Sequence, residues 1–316
     1  MLTHFMHAVS FLGSAAFYVP VFVVLLWCVR PRFGAGALVT VLLGSALNAL
    51  LQLSLQDPRP YWTDRDVTAL EAQTSFGMPS GHAQGAMIAW GYLAARWPFG
   101  ARLRPWATGT AVVLVLLVGV SRVYLGQHTP EQVAAGWTTG ALLLAAVLWS
   151  EPRVLAWWRA RPLTTQFGLV AGVAAAFLAP AALTVRWLEG WQMPAAWRQA
   201  IVAAGGTGGP VTADRCALAT GTLCGALVGL SWLYRRGGFA AAGPPARRLL
   251  RLPVGLAGSL AAGTFVLLPG PEPVLIFCAQ ALVGLWFTAG APETFRHLRL
   301  AAPAVPPAPA PERAPV

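Results

Sequence analysis

Apolar runs of bilayer length follow one another along almost the whole chain, cut by short breaks that hold arginine, proline or glycine. A membrane-spanning helix needs about 20 predominantly apolar residues. Runs near that length fall at Val9 to Val29, Gly36 to Leu55, Gly81 to Trp97, Trp106 to Val123, Glu131 to Ser150, Thr165 to Thr184, Cys216 to Tyr234, Val254 to Leu268 and Pro273 to Gly290. The pattern predicts an all-α protein, a polytopic membrane helical bundle with about nine transmembrane helices. The last two runs are the least marked, because Val254 to Leu268 is short and only Pro269 to Glu272 separates it from its neighbour. No basic segment precedes the first run, so Val9 to Val29 is expected to be a retained helix and not a cleaved signal.

Composition supports the membrane assignment. Of 316 residues, 56% are hydrophobic and 10% charged, against roughly 25% charged in an ordinary soluble domain. Every basic side chain is arginine. Alternate breaks are rich in it: Arg30 and Arg32; Arg96, Arg102 and Arg104; Arg153, Arg159 and Arg161; Arg235 to Arg251; Arg296, Arg299 and Arg313. The opposite breaks hold Arg59, Arg65, Arg122, Arg186, Arg198 and Arg215. By the positive-inside rule the richer set is cytoplasmic, which places the N-terminus outside and the C-terminus inside a cell membrane. The four cysteines lie in apolar stretches without metal-ligand spacing and read as small core residues.

The chain divides near Arg161: residues 1–161 hold the candidate chemistry, 162–300 add further helices of no evident role, and 301–316 form a Pro/Ala-rich tail expected to be disordered. Between Val185 and Arg215 runs a long outer loop with Trp187, Trp191 and Trp197; it either rests on lipid headgroups or simply connects two helices.

Three motifs stand at helix ends on the same predicted face. Arg59-Pro60-Tyr61-Trp62 follows the second helix, Pro79-Ser80-Gly81-His82 opens the third, and Ser121-Arg122 ends the fourth with His128 before the fifth. Ser80 is suited to an N-cap, and Gly81 allows a ligand close to the backbone. The free N–H groups of a helix start attract an anion. Titratable groups flanking apolar spans are costly and usually functional. Two arginines and two histidines converging on one membrane face are the parts needed to hold a phosphate and cut it.

These motifs and their spacing resemble the type 2 phosphatidic acid phosphatase (PAP2) superfamily, which includes lipid phosphatases and glucose-6-phosphatase; the match covers about Gln52 to Gly136. The resemblance implies a PAP2-like core of about five or six helices. It implies that His128 is a nucleophile forming a phosphohistidine, that His82 protonates the leaving oxygen, and that Arg59, Arg122, Ser80 and the Gly81 amide hold the phosphate. Arginine forks and helix N–H groups can stabilise phosphoryl transfer unaided, so neither a metal nor another cofactor is expected, and a near-neutral pH optimum is.

Two positions depart from the family pattern. Gln52 stands where a lysine is usual and leaves a neutral donor at best, unless Arg65 replaces the charge. Gln132 stands where an aspartate orients the nucleophile; its amide oxygen can still accept Nδ1–H of His128, whereas Glu131 points elsewhere on the helix. Glutamine at this place, and Arg59-Pro60-Tyr61-Trp62, look like the glucose-6-phosphatase version of the motifs. The reading is a phosphoric monoester hydrolase acting on an outer-leaflet lipid phosphate or diphosphate. Phosphotransfer to another acceptor and hydrolysis of a sugar phosphate fit the same site, and a non-catalytic lipid-binding or transport protein with a decayed core is the alternative from another class. The bilayer and the lipid substrate are the partners expected, nucleic acid is not, and the sequence leaves the oligomeric state open.

Overall fold

The computed structural model describes residues 1–264, 272–302 and 304. Among them the chain is helical: α1 (Leu2–Phe11), α2 (Ala15–Val24, continued by a π-helical turn Leu25–Val29), α3 (Pro31–Leu55), α4 (Pro60–Thr63), α5 (Gly81–Ala95), α6 (Arg104–Tyr124), α7 (Pro130–Arg159), α8 (Leu163–Trp187), α9 (Ala195–Ala203), α10 (Asp214–Arg235), α11 (Pro245–Gly263), α12 (Pro273–Leu285) and α13 (Ala291–His297). Most of the tail expected to be disordered lies outside the described residues, as do the last residues of the run ending at Leu268.

Each of the nine apolar runs contains helix, but fewer meet the length and apolarity of a full span. Among the described residues six helices do, and the α1–α2 pair makes a seventh if its 48° bend is counted as one broken span. That bend falls at Gly13-Ser14, where Ser14 Oγ accepts the Phe17 N–H and starts a second helix. Helix α5 has 15 residues, about 22 Å of rise against roughly 30 Å of hydrocarbon. The segment before it is packed inside the protein, with Ser75 to Gly77 and Pro79 to Ser80 buried. Helix α11 carries Arg247, Arg248 and Arg251 in its first half.

Helices α3 and α10 are the inner pair, lined with small residues such as Ala37, Ala46, Gly221 and Gly225. A Cβ on Gly225 would stand 1.9 Å from the Ala281 carbonyl, so α10 and α12 approach at backbone distance, the packing small residues permit in membranes. One core joins the two halves: Tyr18, Trp27, Leu38 and Ile88 pack in the same cluster as Leu223, Leu233 and Phe295. The C-terminal helices therefore share a core with the motif-bearing ones.

Candidate active site

The last turn of α6 and the start of α7 fix His128. The Arg122 carbonyl accepts the N–H groups of Gln127 (3.0 Å) and His128 (3.2 Å), which folds the chain back at Gly126. Gly126 has φ +68°, and a Cβ there would lie 2.4 Å from the Thr68 carbonyl, so the turn requires glycine. On the other side Thr129 and Gln132 form a reciprocal capping box, each side chain accepting the other's N–H at 3.3 Å. His128, 2% exposed, is thus held from both directions.

Its two ring nitrogens have different partners. Nδ1 lies 3.1 Å from Gln132 Oε1, and Nε2 lies 3.1 Å from Arg59 Nη1. Gln132 Nε2 donates to Asp57 Oδ2 (2.6 Å) and to the Pro58 carbonyl (2.8 Å). Those two oxygens only accept, so the amide is oriented with Oε1 toward the ring, and Nδ1 must carry the hydrogen. Nε2 is then the lone-pair nitrogen. Burial first, and the positive charges of Arg59 and Arg122 next, hold the His128 pKa well below the ordinary imidazole value. The ring is neutral at pH 7.

Around that nitrogen stand the predicted anion donors. Arg59, 2% exposed, donates through Nε to the Ser75 carbonyl (2.7 Å), through Nη2 to Ser75 Oγ (3.0 Å) and through Nη1 to the Gln127 carbonyl (3.0 Å). Ser80 sits at the N-cap position of α5, but its hydroxyl does not cap the helix. Instead its N–H donates to the Gln132 carbonyl (2.9 Å), while Oγ is fully buried without a partner among the described residues. Gly81 opens α5, whose first N–H groups have no intrahelical acceptor. Arg122, 1% exposed, gives Nη1 to Ser10 Oγ (2.6 Å) and to Glu71 Oε2 (3.0 Å), and its Nε too lacks a partner among the described residues. Each such orphan costs about 1–3 kcal/mol unless an acceptor reaches it. His82, the second residue of α5, is half-buried within the field of Arg122, Arg59 and Arg215.

Gln52 is also buried, with Nε2 on the Pro79 carbonyl (3.0 Å) and Oε1 unpartnered among the described residues. Arg65 does not join the cluster: it is exposed and lines a separate pocket with Thr63 and Gln199 between α4 and α9. The long loop between α8 and α10 packs in part against the segment that follows Arg59. Trp197 stacks on Trp62 at 5.5 Å and Ile201 is buried against the same cluster, while Trp187 remains 84% exposed.

Four contributors escaped the sequence reading: Asp57, Glu71, Ser75 and Arg215. Asp57 stands two places before Arg59, and a carboxylate inside a motif at a membrane edge is itself a signal. Glu71 pairs with both Arg122 and His7 (2.9 Å). Burial alone would raise its pKa, but the charge and hydrogen bond of Arg122, helped by His7, hold it below the usual carboxylate value. Arg215, from the start of α10, donates to Ser75 Oγ at 2.5 Å, so a side chain from beyond Arg161 reaches this cluster.

Histidines and buried arginines gathered at one end of a multi-pass helical bundle define a membrane phosphatase. Residues 33–155 match the PAP2 superfamily, and residues 217–303 match the PAP2 superfamily phosphatase transmembrane extension. Phosphatidylglycerophosphatase B of Bacillus subtilis (strain 168) is 31% identical over 156 residues, which cover 46% of this chain and 73% of the relative. The chain belongs to the PAP2 superfamily. A crystal structure described as the first transmembrane PAP2 type phosphatidylglycerolphosphate phosphatase from Bacillus subtilis is 28% identical, with 48% of this chain and 78% of that one covered at a TM-score of 0.42.

Proposed function

We propose that this phosphatase hydrolyses a lipid phosphate or diphosphate monoester at the outer membrane face through a phosphohistidine on His128, without a metal ion. The observation that carries the reading is the tautomer. Gln132 fixes the hydrogen on Nδ1, which leaves the Nε2 lone pair beside the arginines. In the first step Nε2 attacks phosphorus in line with the leaving alkoxide, the P–O bond breaks, and His82 gives that oxygen its proton. In the second step water attacks the phosphohistidine, now-neutral His82 takes the water's proton, and inorganic phosphate leaves. Arg59, Arg122, Ser80 Oγ and the Gly81 N–H stabilise the equatorial oxygens throughout. Metal independence is supported by the donor set: the cations of this site are guanidinium groups, and among the described residues no three His, Cys, Asp or Glu side chains are grouped to hold an ion.

The name of the Bacillus subtilis relative that is 31% identical makes phosphatidylglycerol phosphate the first substrate to assay. On this reading residues 1–161 supply the nucleophile and the acid, and a lipid headgroup enters sideways from the bilayer. The test is phosphate release by the purified protein from a panel of lipid phosphates, a lipid diphosphate and a sugar phosphate, with a chelator present. Activity should persist under chelation and favour a lipid. His128→Ala should abolish turnover together with an acid-labile, base-stable phosphoenzyme. Normal turnover in that variant would overturn the mechanism.

A further inference from the structure

Gln52 leaves the phosphate cradle one positive charge short of the pattern that the sequence resembles, and Arg65 is elsewhere. A third guanidinium nevertheless arrives from a distant part of the chain. Arg215 is the second residue of α10, and its neighbour Cys216 is buried against Ala49 and Leu53 of α3. Leu53 directly follows Gln52. The packing of α10 on α3 therefore brings Arg215 to the same end of α3 as the glutamine.

Its Nη1 meets Ser75 Oγ at 2.5 Å, and Arg59 Nη2 meets that same hydroxyl at 3.0 Å. Two guanidinium groups thus converge on one small neutral acceptor. Neither has a carboxylate within ion-pair distance among the described residues, since Glu71 pairs with Arg122. Like charges placed this close raise each other's energy: after burial, the positive charge of Arg215 does most to disfavour the Arg59 cation. The helix adds to the conflict, because a cation in a first turn faces the positive end of the macrodipole. An arrangement that breaks local rules in two ways is expected where function needs it. An anion seated between the arginines resolves both conflicts. The Arg215 side chain keeps access to solvent, so an anion can reach it.

We propose that Arg215 binds the substrate phosphate and takes the place of the family's lysine, so that the C-terminal extension completes the active site. This rests on the phosphatase reading above. It gives α10 a catalytic-site role beyond packing, and it predicts that the motif-bearing half alone binds phosphate poorly.

The experiment uses the full-length protein with orthovanadate as the phosphate probe. Arg215→Gln should raise both KM and the vanadate inhibition constant by about tenfold or more, the scale of one charge-assisted hydrogen bond, with kcat changed less and the thermal midpoint not lowered, since a like-charge conflict is removed. Adding Gln52→Lys to that variant should recover much of the vanadate inhibition. If Arg215→Gln folds poorly, Arg215→Lys carries the test, because it introduces the sole lysine of the chain. Acetylating the folded protein then removes charge only there and at the N-terminus, with treated wild type as the control. The acetylated variant should lose vanadate inhibition about tenfold, and vanadate should slow the modification. Unchanged KM and vanadate inhibition, in Arg215→Gln or after acetylation, overturns the role of Arg215 while leaving the His128 mechanism standing. Loss of the latter is read separately, from turnover in His128→Ala.

Discussion

Gln132 does two jobs with one amide: Oε1 closes the capping box and holds His128, while Nε2 is held by Asp57. A carboxylate at 132 would be the stronger partner for an imidazolium, yet here it would face Asp57 Oδ2 across 2.6 Å and the Pro58 carbonyl across 2.8 Å. Two carboxylates at that distance cannot both ionise. Gln132→Glu should therefore lower kcat by about tenfold or more, and Asp57→Asn added to it should restore most of the loss by supplying a donor; kcat measured across the three variants checks this. A Gln132→Glu enzyme as fast as wild type would show that Asp57 does not orient the amide. His128 also makes a pH prediction. Its folded pKa is depressed by burial and by Arg59 and Arg122, so below the unfolded value of about 6.5 the unfolded chain takes up a proton that the native ring refuses. Stability relative to His128→Asn should consequently fall as pH drops from 7 to 5, at up to about 1.4 kcal/mol per pH unit, and stay flat above 7. Thermal midpoints of the two proteins across that range provide the measurement.

Among the elements, what could be read in advance was what rests on local pattern. The length of the apolar stretches gave helix in every one of the nine runs. The 48° bend at Gly13-Ser14 and the 15-residue length of α5 are not recorded by hydropathy, which averages over a whole apolar run. The same limit applies to the site. His82, His128, Arg59 and Arg122 stand in contiguous motifs, whereas Arg215 meets Ser75 across 140 positions and only helix packing joins them. Arg251 shows how a residue type can mislead. Counted in sequence as a loop charge, it is fully buried and donates to the carbonyls of Trp27 (2.7 Å), Ala241 (2.9 Å), Ala242 (3.1 Å) and Leu300 (2.7 Å), tying α11 to the turn after α2 and to the C-terminal segment. Its role is a planar fork between elements, far from the chemistry. Arg251→Ala should lower the thermal midpoint by about 5 °C or more through unpaired carbonyls, and Arg251→Lys should recover part of it because an ammonium cannot match the fork. KM should stay at the wild-type value in both. A large KM change would mean that this clamp and the phosphate site are coupled.

At the scale of the whole molecule, the arginines sort by environment as well as by number. At the end bearing the site, Arg59 and Arg122 are 2% and 1% exposed, with Arg59 donating to the Ser75 and Gln127 carbonyls and Arg122 to Glu71, so they contribute little to the surface. At the opposite end Arg153, Arg159, Arg161 and Arg236 are exposed and lie over the rings of Trp149, Tyr234, Trp157 and Trp232 at 4.9–5.7 Å. Arginine resting on tryptophan and tyrosine is the arrangement of a membrane interface. The surface charge is therefore more lopsided than the bare sequence suggests, and an anionic cytoplasmic leaflet would attract that opposite end at about 1 kcal/mol per exposed arginine. With the orientation proposed above, His128 would face outside the cell and meet outer-leaflet lipids. Single cysteines at Thr63, exposed beside Arg59, and at Ala101, exposed in the turn before α6, lie at opposite ends of the bundle. A membrane-impermeant maleimide applied to intact cells should modify Thr63→Cys and spare Ala101→Cys until the membrane is permeabilised. Wild type serves as the control for Cys278, the one native cysteine that is exposed. The opposite pattern would place the phosphatase site on the cytoplasmic face and move the search to inner-leaflet lipids and soluble phosphates.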